Sequence, residues 1–154
     1  MFGGFGRMMR RHQDPVLIVA QMVSLQCLYY AAQGAYFCGV HVLYGFPLSL
    51  ERFFGTTQKL DLRSGAHALE LGGVLVAGLC GAALLPVVVE RARKCLDFSA
   101  TLYGAHLCLC LAYSGLAWPR WTWWLAHAAA LVAMVVLGEY LCSRRELREI
   151  PLVH

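Results

Sequence analysis

Three histidines lie in long apolar stretches of the sequence and are the first residues that could carry chemistry. His41, His106 and His127 fall in three different apolar runs. Two histidines that face each other in a helical membrane bundle can bind haem. Counted from the ends of the runs, His106 lies about 12 Å and His127 about 18 Å from the same membrane surface. This mismatch in depth weakens the haem interpretation and favours hydrogen-bonded structural histidines.

Three further polar residues share one face of the first apolar run. Gln26, Tyr30 and Gln33 follow each other at spacings of four and three residues, which places them on one side of a helix. Polar groups are costly when they face lipid, so we expect this side to face the other helices. These residues either form hydrogen bonds between helices or line a groove that accepts a polar group of a partner.

Acidic residues at the ends of the apolar runs are the remaining candidates for function. Asp14, Asp97 and Glu139 stand near predicted membrane boundaries, where a buried carboxylate is costly and therefore often functional. Alternatively, Asp14 and Asp97 cap helices, and Glu139 pairs with Arg144 or Arg145. The sequence has no Ser–His–Asp or metalloprotease spacing, no P-loop and no dinucleotide fingerprint, so it predicts no enzyme.

Long charge-free runs predict the elements that must position these residues. Of 154 residues, 59% are hydrophobic and 14% are charged, against about 25% charged in soluble domains. A helix needs ~20 apolar residues to cross the hydrocarbon core, and four runs are about that long or longer. We expect an all-α, polytopic four-helix membrane bundle in a single membrane domain, residues 1–154, with spans near 15–44, 66–89, 98–117 and 121–141. No room remains for a separate soluble catalytic domain.

The distribution of basic residues predicts the orientation of the bundle. Nine of the 13 Lys and Arg residues lie in the N-terminal arm, the connection between the second and third runs, and the tail. The other four lie on the opposite side, so both termini are predicted to be cytoplasmic. The first run is too long for a cleaved signal peptide and is expected to be retained. The net charge of +4 indicates contact with anionic lipid and does not indicate nucleic-acid binding.

Small residues and cysteines complete the pattern. Small residues at four-residue spacing, which let helices approach closely, recur in three runs, at Gly73–Ala77–Gly81, Ala31–Ala35–Gly39 and Ala129–Ala133. Pro86 is expected to kink or end the second membrane helix.

The seven cysteines include no Cys-x-x-Cys pair and are expected to be free thiols. Cys95 and Cys142 lie beside basic residues, so palmitoylation of these two is an alternative.

The order of several short motifs resembles a known family. These motifs are Asp14-Pro15, Gln21, Gln26, Tyr29-Tyr30, Cys95-Leu96-Asp97-Phe98, His106, Thr122-Trp123-Trp124-Leu125, Gly138-Glu139-Tyr140-Leu141-Cys142, Glu146-Leu147 and Glu149-Ile150-Pro151-Leu152. The sequence resembles the Sys family of Golgi integral membrane proteins, most specifically in the last three motifs. Gln13 stands where the family has Trp. Residues 47–63 and the second run resemble the family only in the general character of their residues and not in specific motifs.

The resemblance implies a function as a Golgi receptor for an Arf-related small GTPase. Such receptors bind the acetylated N-terminus of the GTPase and hold it on trans-Golgi membranes, which leads to recruitment of tethering golgins. The matching blocks suggest a partner-binding surface, without cofactor or metal, formed by Asp14, Gln26, Tyr30, Asp97, Glu139 and Tyr140. The alternatives are a bis-histidine haem redox protein and a small transporter, although few ionisable residues lie deep in the runs. Homo-oligomerisation stays open.

Overall fold

The fold is a bundle of four long helices. The computed structural model describes residues 15–56, 65–89 and 92–148. Four long helices, α1 (Pro15–Tyr44), α3 (Gly65–Val88), α4 (Cys95–Tyr113) and α5 (Trp121–Arg148), are joined by a single-turn helix α2 (Glu51–Phe54) and a 3₁₀ turn at Ala92–Lys94. No strand occurs among the described residues. All four long helices are long and apolar enough to cross a membrane, which confirms the expected all-α membrane fold.

The helices are arranged around the bundle in the order α1, α3, α5, α4. Helix α3 packs against α1 and α5, α5 packs against α4, and α1 touches α4 along the fourth seam. Helices α1 and α4 run in one direction, and α3 and α5 run in the other. We call the end where α1 begins and α5 ends the basic end. We call the opposite end, where the four tryptophans lie, the tryptophan end.

The seam between α3 and α5 is closely packed because small residues face bulky ones. A Cβ atom on Gly81 would lie 2.9 Å from Met134 Cε, and one on Gly138 would overlap Leu85 Cδ1. Ala77 is fully buried one turn before Gly81. The expected close approach is therefore confirmed for the small residues of α3. This packing matters because lipid provides no hydrophobic drive for helix association.

The other two small-residue stripes do not face neighbouring helices. On α1, Ala31, Ala35 and Gly39 are exposed, and a Cβ atom on Gly39 would meet nothing within 4 Å. On α5, Ala129 is exposed and Ala133 is half-buried beside it on the outer surface. The interpretation of these stripes as contacts within the bundle is wrong. Spacing alone cannot distinguish a helix contact from a lipid-facing surface.

A glycine terminates α4 and turns the chain toward α5. Gly115 has φ +64°, the left-handed conformation that glycine adopts without strain. The amide of Leu116 then donates to the carbonyl of Leu111 at 2.7 Å, as in a Schellman motif. Helix α4 therefore ends at Tyr113, before the predicted end of the run at residue 117. The turn brings α5 back antiparallel to α4.

Candidate functional site

An open groove lies along the seam between α1 and α4. It encloses about 150 Å³ and is lined by Met22, Val23, Gln26, Phe98, Thr101, Leu102 and Ala105. The Gln26 side chain is half-buried, and its Nε2 atom has no hydrogen-bond partner among the described residues. The wall of this mostly apolar groove thus contains one amide group, whose Nε2 is enclosed beside the Tyr30 hydroxyl.

Tyr30 lies one turn further along α1 and joins the two helices. Its hydroxyl is 2.9 Å from Nδ1 of His106 on α4, and His106 is 1% exposed. Gln33 is also 1% exposed, so the polar face of α1 does face the bundle as expected. Tyr30 therefore forms an interhelical hydrogen bond, while Gln26 lines a groove. Of the two alternatives for this face, interhelical hydrogen bonding applies to Tyr30 and lining of a groove applies to Gln26.

Asp97 lies next to the groove but does not cap its helix. Helix α4 begins at Cys95 with Lys94 as N-cap and no side-chain capping bond, so the expected cap is wrong. Asp97 is exposed in the first turn, immediately before groove residue Phe98. A carboxylate in the first turn still interacts favourably with the helix dipole. It also adds negative charge beside the groove.

Glu139 and Tyr140 lie apart from this groove. Both are exposed on α5, which does not border the seam between α1 and α4. The guanidinium of Arg144 lies 5.4 Å from the centre of the Tyr140 ring. Asp14 lies outside the described residues. The structure thus brings Gln26 and Asp97 together near one groove and places Glu139 and Tyr140 on another surface.

Side chains from α1 and α5 satisfy the last carbonyls of α3 at the basic end. The Gln21 amide donates to the Val88 carbonyl at 2.7 Å, and Arg145 Nη1 donates to the Pro86 carbonyl at 2.6 Å. The final carbonyls of a helix have no partner within it, so these bonds stabilise its end. Neither bond was predicted from the sequence. The expected end of α3 near Pro86 indicated that carbonyls there would need donors from elsewhere.

The connection between α3 and α4 is tied to α5 in the same region. The Ala92 amide donates to Glu146 Oε1 at 3.0 Å, and Sγ of Cys95 lies 3.3 Å from Sγ of Cys142. Neither cysteine forms a disulfide, and both are buried between the helices. Free thiols are therefore confirmed. The burial of both thiols argues against the palmitoylation alternative, because an acyltransferase needs an exposed thiol.

The histidines form a stack that does not suit haem. The rings of His106 and His127 lie 5.2 Å apart at 19°. The predicted mismatch in depth is thus wrong. Helix α5 extends well past the span predicted for it, so depth must be counted from the shared turn. His106 lies seven residues before the end of α4 at Tyr113, and His127 lies six residues after the start of α5 at Trp121. Stacked imidazoles do not aim their in-plane lone pairs at one iron between them, and His106 Nδ1 already contacts Tyr30.

The imidazoles of His127 and His41 also have structural partners. His127 Nδ1 lies 2.9 Å from the Trp123 carbonyl, and its ring stacks on the Trp123 indole at 3.8 Å. His41 is exposed, and its Nδ1 lies 2.6 Å from the Phe46 carbonyl. No group of three or more His, Cys, Asp or Glu residues within the described part of the chain could hold a metal ion.

Comparison with known proteins identifies the family. The model of the family described as "SYS1: Integral membrane protein S linking to the trans Golgi network" matches residues 8–152. The chain is 37% identical over 137 residues to the SYS1 homolog of Nematostella vectensis, covering 89% of this chain and 86% of that protein. It is 36% identical over 140 residues to the homolog of Dictyostelium discoideum, covering 90% of this chain and 59% of that protein.

A more distant relative extends the match to fungi. The chain is 24% identical over 137 residues to Protein SYS1 of Saccharomyces cerevisiae, covering 88% of this chain and 66% of that protein. It therefore spans less than two thirds of the Dictyostelium and yeast relatives. No solved structure matches the chain. Because the family model covers nearly the whole bundle, the chain belongs to the SYS1 family of integral membrane proteins of the Golgi.

Proposed function

We propose that this protein is a non-enzymatic receptor that recruits an Arf-related small GTPase to trans-Golgi membranes. The observation that carries the proposal is the family match over residues 8–152, in a family that functions in Golgi membrane trafficking. The receptor binds the acetylated N-terminal segment of the GTPase. A peripheral protein with one weak membrane anchor becomes stably bound when it gains a second contact of this kind.

The groove between α1 and α4 supports recognition of an acetylated segment. Acetylation removes the positive charge of an N-terminus and adds a carbonyl acceptor. The apolar lining then suits the uncharged segment, and the Gln26 amide suits the acceptor once its side chain turns from Tyr30 toward the groove. We propose Gln26, Tyr30 and Asp97 as the groove part of the recognition surface.

The second part of the proposed surface comprises Asp14, Glu139 and Tyr140. Glu139 and Tyr140 are exposed on α5 near the basic end. This end is predicted to be cytoplasmic, where a small GTPase is found. The partner must then contact the bundle on two sides of its basic end. Charge reversal at Asp14 and Glu139 together, in a stably expressed protein, should release the GTPase from the membrane. Normal recruitment by this variant would show that these two residues are not part of the recognition surface.

Depletion of the protein in its own cells tests the receptor function itself. The Arf-related GTPase should leave the Golgi and become cytosolic while its total amount stays unchanged. Re-expression of the wild-type chain should restore the Golgi signal. A GTPase that stays on the Golgi in depleted cells would refute the receptor function, whatever the details of the surface.

Rescue with point variants tests the groove separately. Gln26→Leu removes the amide donor at similar volume, and loss of one hydrogen bond should lower recruitment about fivefold. Ser24→Ala is the matched control, because Ser24 is exposed on α1 and its hydroxyl donates to the carbonyl of Ala20 in its own helix. Both variants must reach the Golgi in equal amounts. Equal recruitment by the Gln26→Leu and Ser24→Ala variants would show that Gln26 does not contact the GTPase, and it would not contradict the receptor function.

A further inference from the structure

A second groove opens between α3 and α5 at the basic end. It has a volume of about 560 Å³ and is lined by Ala83, Pro86, Leu141, Arg144, Arg145 and Arg148. We call it the arginine groove. Its described lining contains three guanidinium groups and no carboxylate. It lies on the opposite side of the bundle from the groove between α1 and α4.

The depth of the arginine groove places its two halves in different surroundings. Helix α5 has 28 residues, whereas ~20 residues cross the hydrocarbon core. The residues after Leu141 therefore reach the headgroup layer. Ala83 and Leu141 are exposed on the membrane side of the groove, and the arginines lie at its outer end. An occupant must combine an apolar chain with an anionic headgroup.

The arginines are arranged to bind phosphate. Arg145 is held in place by its bond to the Pro86 carbonyl, so it forms part of the groove wall. Arg144 and Arg148 are four residues apart, which places them on the same side of α5. Guanidinium groups bind phosphate through paired, charge-assisted hydrogen bonds. Basic pockets between membrane helices at the cytoplasmic side are suited to anionic headgroups.

We propose that the arginine groove binds the phosphate headgroup of an anionic phospholipid, with Arg144 and Arg148 as the phosphate ligands. The acyl chains of the lipid lie along Ala83 and Leu141, and its phosphate meets the guanidinium groups at the membrane surface. This binding site is distinct from the groove between α1 and α4, although Arg144 also lies over the ring of Tyr140. The wild-type protein should retain phosphatidylserine or phosphatidic acid in preference to phosphatidylcholine.

Lipid retention by the purified full chain tests the proposal. The chain is purified in neutral detergent, mixed with equal amounts of phosphatidylserine and phosphatidylcholine, and the retained lipids are counted by native mass spectrometry. Arg144→Gln with Arg148→Gln should lower phosphatidylserine retention about 25-fold, at about fivefold for each basic residue near an anionic surface. Arg145 is left unchanged because it stabilises the end of α3.

A control of equal charge separates a site from general attraction. Arg93→Gln with Lys94→Gln removes two charges from the connection between α3 and α4, at the same membrane surface but outside the groove lining. This control should retain phosphatidylserine as the wild type does. An equal loss in both double variants would overturn the proposal, because attraction would then be a property of the whole basic end.

Two further outcomes distinguish the source of the phosphate and the class of ligand. Glycerophosphoserine, which has the headgroup without acyl chains, should not displace the lipid at equal concentration, and complete displacement would overturn the lipid proposal in favour of a soluble anion. Unchanged lipid retention by the Arg144 and Arg148 variant, together with loss of GTPase recruitment in cells, would assign the groove to an acidic protein segment. If that variant does not fold, equal wild-type retention of phosphatidylserine and phosphatidylcholine would still refute the proposal.

Discussion

The close packing of Gly138 on α5 against Leu85 on α3 gives a direct test of the bundle. A Cβ atom on Gly138 would overlap Leu85 Cδ1 and lie 3.6 Å from Leu85 Cβ. Leu85 is fully buried and cannot swing outward without separating the helices. We expect Gly138→Ala to strain the seam by about 1–3 kcal/mol, the usual cost of overpacking a core. The strain is partly offset by a gain of about 1 kcal/mol in helix propensity.

Gly104→Ala is the control that isolates this strain. Gly104 lies within α4, and a Cβ atom there would meet nothing within 4 Å. Both variants gain the same helix propensity, so the difference between their free energies of unfolding reports the strain alone. Each 1.4 kcal/mol of that difference is tenfold in the unfolding equilibrium. Unfolding by steric trapping in micelles measures it, and equal stability of the two variants would refute the packing described for this seam.

Two further substitutions and one labelling experiment test individual residues. Tyr30→Phe removes the hydrogen bond to His106 and should lower the free energy of unfolding by about 1 kcal/mol, measured in the same assay. Gln21→Leu leaves the Val88 carbonyl without its donor and should speed hydrogen exchange of the last amides of α3, measured by mass spectrometry. Cys142 is buried, so a membrane-permeant maleimide should label it only after unfolding, and labelling of the folded chain would contradict its position.

The sequence predicts the number and type of helices because lipid restricts the choices. A charge-free run in lipid must satisfy its own backbone, so it is helical whatever its neighbours do. The pairing of helices is harder to predict, because it depends on which surface of each helix meets another. Gly81 and Gly39 occupy similar small-residue stripes, yet Gly81 is buried against Met134 and Gly39 is exposed.

The candidate site shows a similar division. The position of Gln26 and Tyr30 on an inward face could be predicted from spacing and the cost of polar groups in lipid. Their separate roles could not, because these depend on which residue of α4 lies opposite each one. His106 lies opposite Tyr30 only because the turn after α4 sets its depth, and the ends of the apolar runs gave a wrong estimate of that depth.

The two proposed sites use different seams of the bundle, and this follows from how the seams are packed. The seam between α3 and α5 is filled by interlocked residues until it opens at the arginine groove. The seam between α1 and α4 leaves a groove at the level of Gln26 instead. Gln21 bonds α1 to the end of α3 and lies about 7.5 Å along α1 from Gln26, toward the basic end. A partner that enters this groove therefore contacts a helix that is held in place at its outer end. Because the grooves lie in opposite seams, a lipid in the arginine groove leaves the groove at Gln26 open, although Arg144 also lies over the ring of Tyr140 in the second part of the proposed surface.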